Sequence, residues 1–128
     1  MIQIGKVINS VLKADATVNS LVGDKIYQIV IPEDVSTYPV IVYERSNVTP
    51  TYFKDTLTSA DVIVNIFSID DDYASSVELG DAIINALNGY RGTVSGINVV
   101  STRLVNLDET YAEGAYIQKI IFNFKINI

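Results

Sequence analysis

Three consecutive carboxylates, Asp70 to Asp72, form the most conspicuous acidic cluster of the sequence and could hold a divalent cation. An EF-hand loop needs glycine at its sixth position and glutamate at its twelfth. Counted from Asp70, these positions hold Ser75 and Asp81, so the calcium-binding pattern fails. The cluster directly precedes a helical pattern, where carboxylates cap the first turn and complement the helix dipole. We therefore predict a capping role and no metal site.

Residues 92–96, GTVSG, superficially resemble the nucleophile elbow of a serine hydrolase. That motif requires G-x-S-x-G, whereas this run is G-x-x-S-G. The sequence also contains no histidine to activate a serine and no cysteine. We interpret the run as a strand bend or a hairpin. The sequence predicts no catalytic residues, no cofactor-binding residues and no enzyme, with a site made only of carboxylates as the least favoured alternative.

Charge and composition narrow the range of partners. Fifteen acidic and nine basic residues give a formal charge of −6, and no basic run is present. An acidic chain is repelled by phosphate backbones, so we expect no sequence-specific nucleic acid and no membrane partner. Hydrophobic residues make up 48% of the chain. This content indicates either a large core rich in isoleucine and valine or a subunit whose surface is partly buried by partners.

Hydrophobic periodicity predicts two main helices. The first begins at Ile4 and continues to Leu12, followed by a short helical turn that Asp15 can cap and Gly23 can end. The second has an apolar face made of Tyr73, Val77, Gly80, Ile84 and Leu87. A glycine inside a helix costs stability, so Gly80 is expected to mark close packing against another element.

Strand patterns cover most of the remaining sequence. They occupy residues 26–31, 40–48, 61–69, 92–107 and 116–128, and the polar residues 49–60 predict the turn of a long antiparallel hairpin. The predicted fold class is α+β, with a mostly antiparallel sheet of four to five strands and two main helices on one face. The predicted order is α-β-β-β-α-β-β, within a single domain over residues 1–128.

Several turn and strand motifs resemble a phage family. LVGDKIY at 21–27, IPED at 31–34 and YPVIVY at 38–43 are similar to motifs of the tail-completion (tail-terminator, or head–tail joining) proteins of long-tailed bacteriophages and prophages. VIVNIF at 62–67, the helix from Tyr73 to Leu87 and the final alternating strand continue the resemblance. Lys25 stands where the family usually has arginine, which would alter any bidentate contact there.

The resemblance implies a structural protein of the virion, without enzymatic activity. Such proteins are subunits of a hexameric ring that caps the tail tube and joins it to the head. The implied partners are further copies of the chain, the major tail-tube protein and a head-closure protein. The implied location is the head–tail junction, after assembly in the cytoplasm of the bacterial host. The alternatives are another neck or minor tail protein, or a small-molecule-binding or regulatory α+β domain.

The predicted hairpin tip is the candidate protein interface. Tyr52 and Phe53 are apolar residues within an otherwise polar segment, which indicates that a partner buries them. The candidate interface residues are therefore Thr51, Tyr52, Phe53, Lys54 and Asp55. In the alternative interpretation, Tyr52 and Phe53 fold back on the sheet of their own chain.

Overall fold

The computed structural model describes residues 2–35 and 37–128 and contains three helices and six strands in this part of the chain. The elements, in chain order, are α1 (Ile4–Ala14), α2 (Ala16–Val22), β1 (Ile26–Gln28), β2 (Val40–Phe53), β3 (Thr56–Asp70), α3 (Tyr73–Leu87), β4 (Gly92–Val94), β5 (Ile97–Ala112) and β6 (Ala115–Asn127).

The strands form one mixed sheet that curves into a half-barrel, in the order β1-β2-β3-β6-β5-β4. β1 and β2 are parallel, and the other neighbours are antiparallel. The predicted fold class was therefore wrong in strand number, in sheet type and in element order. β1 and β4 have three residues each. Strands this short leave almost no periodicity in a sequence, and pairing direction leaves none.

Local backbone geometry explains two of the wrong boundaries. The strand predicted at 26–31 ends at Gln28 because Ile29 has φ +67° and the Val30 amide donates to the Gln28 carbonyl oxygen at 2.6 Å. This is a γ-turn with positive φ, a rare conformation for a β-branched residue. The strand predicted at 92–107 is split into β4 and β5 by a turn in which Ser95 and Gly96 both have positive φ.

The helices pack on one face of the sheet and enclose the main core. Its largest fully buried side chains are Ile4, Ile8, Leu12, Ile41, Ile66, Leu79, Ile83, Leu87, Ile120, Phe122, Phe124 and Ile126. A smaller apolar cluster around Val40, Val42 and Ile69 lies apart from this core. No helix in residues 2–35 and 37–128 is long and apolar enough to cross a membrane.

The buried stripe of helix α3 overlaps the predicted apolar face only in part. Its buried residues include Ser76, Leu79, Ile83 and Leu87. Tyr73 is exposed, whereas Val77 and Ile84 are only half-buried. Of the predicted apolar face, Gly80 and Leu87 are buried, whereas Tyr73, Val77 and Ile84 border a groove between α3 and the outer part of β5. This groove measures about 440 Å³ and is lined by Tyr73, Val77, Ile84, Leu107, Glu109 and Ile120, among others.

Candidate interaction surface

Strands β2 and β3 form a ribbon that extends past the end of the sheet. The ladder between β3 and β6 begins at Ser59, and the Ile128 amide donates to the Thr58 carbonyl oxygen. Within the described part of the chain, the β3 residues before Thr58 therefore have only β2 as a strand neighbour. The ladder between β2 and β3 continues to the pair Phe53 and Thr56. The segment predicted as a polar turn is thus mostly paired strand, and the hairpin itself was predicted correctly.

The ribbon ends in a two-residue turn at Lys54 and Asp55, which have φ +50° and +67°. The turns at Ser95-Gly96 and Glu113-Gly114 likewise have two positive φ values, but each places glycine second. Such hairpin turns favour glycine or asparagine because other side chains are strained there. Lys54-Asp55 departs from the local optimum, and departures of this kind are expected where a sequence serves a function.

The candidate residues Thr51, Tyr52, Phe53, Lys54 and Asp55 lie together at this tip, and all five are exposed. Tyr52 and Phe53 expose 61% and 66% of their surface, so neither side chain is folded back on the sheet. The Lys54 ammonium lies 5.5 Å from the centre of the Phe53 ring, within the range of a cation–π contact. The tip thus presents two aromatic rings and one cation to solvent.

The acidic cluster at 70–72 has the capping geometry that its position predicted. Asp72 Oδ2 accepts hydrogen bonds from the Ser75 amide at 3.0 Å and the Ser75 hydroxyl at 2.8 Å. These bonds hold the pKa of Asp72 below its usual value. Asp70 is buried at the end of β3, and its burial, together with the neighbouring Asp71, raises its pKa. Within residues 2–35 and 37–128, no group of three or more ligand-type side chains could hold a metal ion.

Sequence reasoning missed a second surface, at the far end of the sheet. Tyr73, Tyr111 and Tyr116 form an aromatic cluster, with ring centres 5.4 Å apart for Tyr73–Tyr116 and 4.8 Å for Tyr111–Tyr116. The Tyr73 hydroxyl donates to Glu109 Oε2 at 3.0 Å, and this hydrogen bond, together with the Glu109 charge, raises the pKa of Tyr73. The outer strand here carries the exposed side chains of Val105, Leu107 and Tyr111. In the sequence, this surface corresponds to a run of apolar residues that alternate with acidic or polar ones. Such a run predicts only a strand and a turn.

Comparison with known families decides the broad class of the protein. The family model described as "Tail completion protein gp17" matches residues 6–128. The chain belongs to this tail completion family. Its members are structural proteins of phage tails, so the resemblance noted in the turn and strand motifs is confirmed.

A solved structure shares the fold of this tail completion protein. A chain in the virion of a native gene transfer agent particle matches with a TM-score of 0.77, at 18% sequence identity. The match covers 94% of this chain and 92% of that chain. At this identity the likeness concerns the fold. Curated proteins gave no match to the chain.

Proposed function

We propose that this tail completion protein forms a ring that closes the end of the tail tube and joins the tube to the head. The observation that carries the proposal is the family match over residues 6–128. Ring subunits must present contact surfaces to neighbours, and the chain presents an exposed aromatic hairpin tip at one end of its sheet and an apolar strand edge at the other. The proposed partners are copies of itself, the major tail-tube protein and a head-closure protein.

The proposed location is the head–tail junction of the virion, reached after assembly in the host cytoplasm. An acidic subunit supports this role because a ring of −6 charges would repel DNA in the lumen and would not retain it. The chain is proposed to act without catalysis, as the family of structural tail proteins indicates.

The experiment is complementation of a phage or prophage that lacks this gene. We expect the deletion to yield tails that stay unjoined to heads and vary in length, and the intact chain to restore joined particles in electron micrographs. Antibody labelling of restored particles should mark the head–tail junction. Normal particles without the gene would contradict the proposal, and labelling along the tube or at its far tip would favour another minor tail protein.

The hairpin tip is proposed as one contact surface of this assembly. Deleting residues 50–58 shortens a ribbon that lies beyond the rest of the sheet, so the fold should persist while particle joining is lost. A milder variant replaces Tyr52 and Phe53 with serine. Its matched control is Ile2→Ser, since Ile2 is also a strongly exposed apolar side chain away from the tip. If the tip variants complemented as well as the control, the tip would not be a contact surface.

A further inference from the structure

The two borders of the sheet are each covered by a short strand over only part of their length. At one border, β1 pairs with Ile41 to Tyr43 of β2, and residues 46–53 have β3 as their only strand neighbour within the described part of the chain. At the other border, β4 pairs with Ile97 to Val99 of β5, and residues 105–112 have β6 as their only strand neighbour there. The two uncovered segments lie at opposite ends of the sheet.

The uncovered part of β5 is an open hydrogen-bonding edge. The preceding part of β5, up to Leu104, is covered by the turn that follows α3. The Gly89 amide donates to the Thr102 carbonyl oxygen, and the Leu104 amide donates to Asn88 Oδ1. Within the uncovered part, the amides of Leu107 and Glu109 donate to the side chains of Asn106 and Asp108, the residues just before them. An open edge of this kind is a template for pairing with another strand.

Apolar surface accompanies this open edge. Val105, Leu107 and Tyr111 each expose more than half of their surface. The groove between α3 and β5, whose lining is partly apolar, borders the same segment. A strand added here would cover both backbone donors and apolar side chains, which is how strand addition gains affinity.

Charge indicates which strand fits. Residues 105–113 contain Asp108, Glu109 and Glu113 and no basic residue. Two copies of this edge would therefore repel each other. The uncovered β2 segment, residues 46–53, contains no charged residue, and Arg45 and Lys54 lie directly next to its two ends. Glu44 and Asp55 lie one residue farther out, and Glu44 Oε1 accepts a hydrogen bond from Asn65 Nδ2. The β2 border thus places a cation at each end of its open edge and does not repel the acidic β5 edge.

We propose that the outer edge of β5 in one copy pairs with the uncovered edge of β2 in the next copy. This inference rests on the proposed ring and specifies how its subunits join. Because the two edges are different surfaces, the contact is head-to-tail, and such contacts generate closed rings when the rotation between subunits closes. β2 and β5 run in opposite directions within the sheet, so copies that share a ring axis pair these strands antiparallel.

The antiparallel direction has two geometric consequences. It brings the end of β2 that carries Arg45 next to the end of β5 that precedes Glu113. Because the uncovered segments lie at opposite ends of the sheet, neighbouring copies are offset along the strand direction. A ring can close with such an offset only when its strands tilt relative to the ring axis, as strands do in closed barrels. Pro50 has no amide proton to donate to an added strand, and proline on an edge strand discourages indiscriminate pairing.

The absence of cysteine makes cross-linking a direct test. Thr49→Cys lies on the β2 edge and Thr110→Cys on the β5 edge, and both threonines are exposed. With a short bismaleimide at high protein concentration, the double variant should give a ladder of multimers, and an equal mixture of the single variants should give one dimer band. Lys13→Cys on α1, mixed with Thr49→Cys, is the matched control and should give no dimer.

Charge reversal gives a second readout. Arg45→Glu should lower the cross-linked yield of the double-cysteine variant, as should Glu113→Lys. Combining both reversals in one chain should recover the lost yield, because the opposite charges again face each other. A cross-linked dimer from Thr110→Cys alone would show that the edge pairs with itself and would overturn the proposal. The double reversal could instead leave the cross-linked yield low while circular dichroism shows an intact fold. That result would contradict the alignment of Arg45 with Glu113.

Cross-linking inside particles separates this proposal from the proposed function. Where the double-cysteine variant complements the gene deletion, its particles should yield the same ladder. Complementation without a ladder, in particles and in concentrated protein alike, would overturn the edge pairing and leave the ring function standing. A gene deletion without phenotype would instead contradict the function itself.

Discussion

Gly5 and Gly80 both lie in helices, but they differ in how much space a side chain would have. A Cβ atom at Gly5 would lie 2.8 Å from the Tyr43 hydroxyl oxygen, and Asn9 Nδ2 donates to that same oxygen at 2.7 Å. α1 therefore needs glycine at this position to approach β2. At Gly80, the nearest atoms to an added Cβ, on Gln118 and Ile120, would lie 3.7 Å away, an ordinary contact. Gly80 thus packs against β6, as its position inside the helix predicted, but the contact leaves room for a methyl group.

Alanine substitution at these two glycines should have opposite effects. Gly80→Ala should raise the free energy of unfolding by about 0.5–1 kcal/mol, because alanine is the better helix former and the space accommodates a methyl group. Gly5→Ala should lower it, because the buried Tyr43 must move from its hydrogen bond. Urea unfolding followed by circular dichroism measures both. If Gly80→Ala were destabilising, the helix would be packed more tightly at that point than the 3.7 Å distances indicate.

Burial of Asp70 makes the stability of the fold depend on pH. Its pKa is raised by burial and by the neighbouring Asp71, so the folded state binds a proton more tightly than the unfolded state does. Stability from this group therefore falls as pH rises from about 4 through the raised pKa. Asp70→Asn should increase stability more at pH 7 than at pH 4, as measured by urea unfolding at both values. An equal effect at both pH values would contradict the shift.

Asp72 provides the control for this measurement. Its pKa is lowered by hydrogen bonds from Ser75, so its contribution is present above about pH 4 and is lost as pH falls through the lowered pKa. Asp72→Ala should therefore destabilise the fold more at pH 7 than in acid. The two substitutions, two residues apart, should thus change the pH dependence in opposite directions.

Among the elements, the β2–β3 turn is where the residue type departs most clearly from the preference of the backbone conformation. Asp55 has φ +67° without the freedom of glycine, whereas Gly114 occupies the equivalent place in the β5–β6 turn. Asp55→Gly should stabilise the fold by about 0.4–1 kcal/mol, and the reverse change Gly114→Asp should destabilise it. Thermal unfolding of the two variants, compared with the parent chain, measures both effects. A stabilised Asp55→Gly chain that also joined particles less well would support selection of the tip for contact.

The elements differ in how far the sequence could predict them. α1 followed from its periodicity, and Ile4, Val7, Ile8 and Leu12 are indeed buried. The extent of α3 was also predicted correctly, but its buried stripe only in part, because half-buried Val77 and Ile84 match an apolar pattern as well as buried Leu87 does. The strand predicted at 26–31 was too long for β1, and the one predicted at 92–107 merged β4 with β5, because strands of three residues carry no readable alternation of their own. The parallel pairing of β1 with β2 joins residues such as Ile26 and Ile41, which no local pattern records.

Of the two candidate surfaces, only the hairpin tip could be predicted from the sequence. Tyr52 and Phe53 could be identified because they interrupt a polar segment, and the structure places them at an exposed tip. The β5 edge could not be identified from its residues alone. Leu107 and Tyr111 alternate like the residues of any half-buried strand, and only the sheet order places β5 beside a strand too short to cover it.

For the whole molecule, the proposed contact joins opposite charges on a chain of net charge −6. Overall repulsion between copies and local attraction between the two edges both weaken with salt, over a screening length of about 10 Å at 0.1 M ionic strength. The edge charges would lie closer together than this length, whereas most other charges on neighbouring copies would lie farther apart. Salt at or below 0.1 M should therefore already screen the repulsion, and further salt should mainly weaken the attraction.

Self-association should accordingly decrease as salt rises from about 0.1 M to 1 M, where the screening length shortens to about 3 Å. Sedimentation velocity at high protein concentration measures this change. The variant carrying both Arg45→Glu and Glu113→Lys should show the same salt response as the parent, and either single reversal should abolish it. Association that grows with salt would mean that apolar burial by Tyr52, Phe53 and Leu107 dominates the contact. That outcome would leave the edges in place and remove charge as the reason for their pairing.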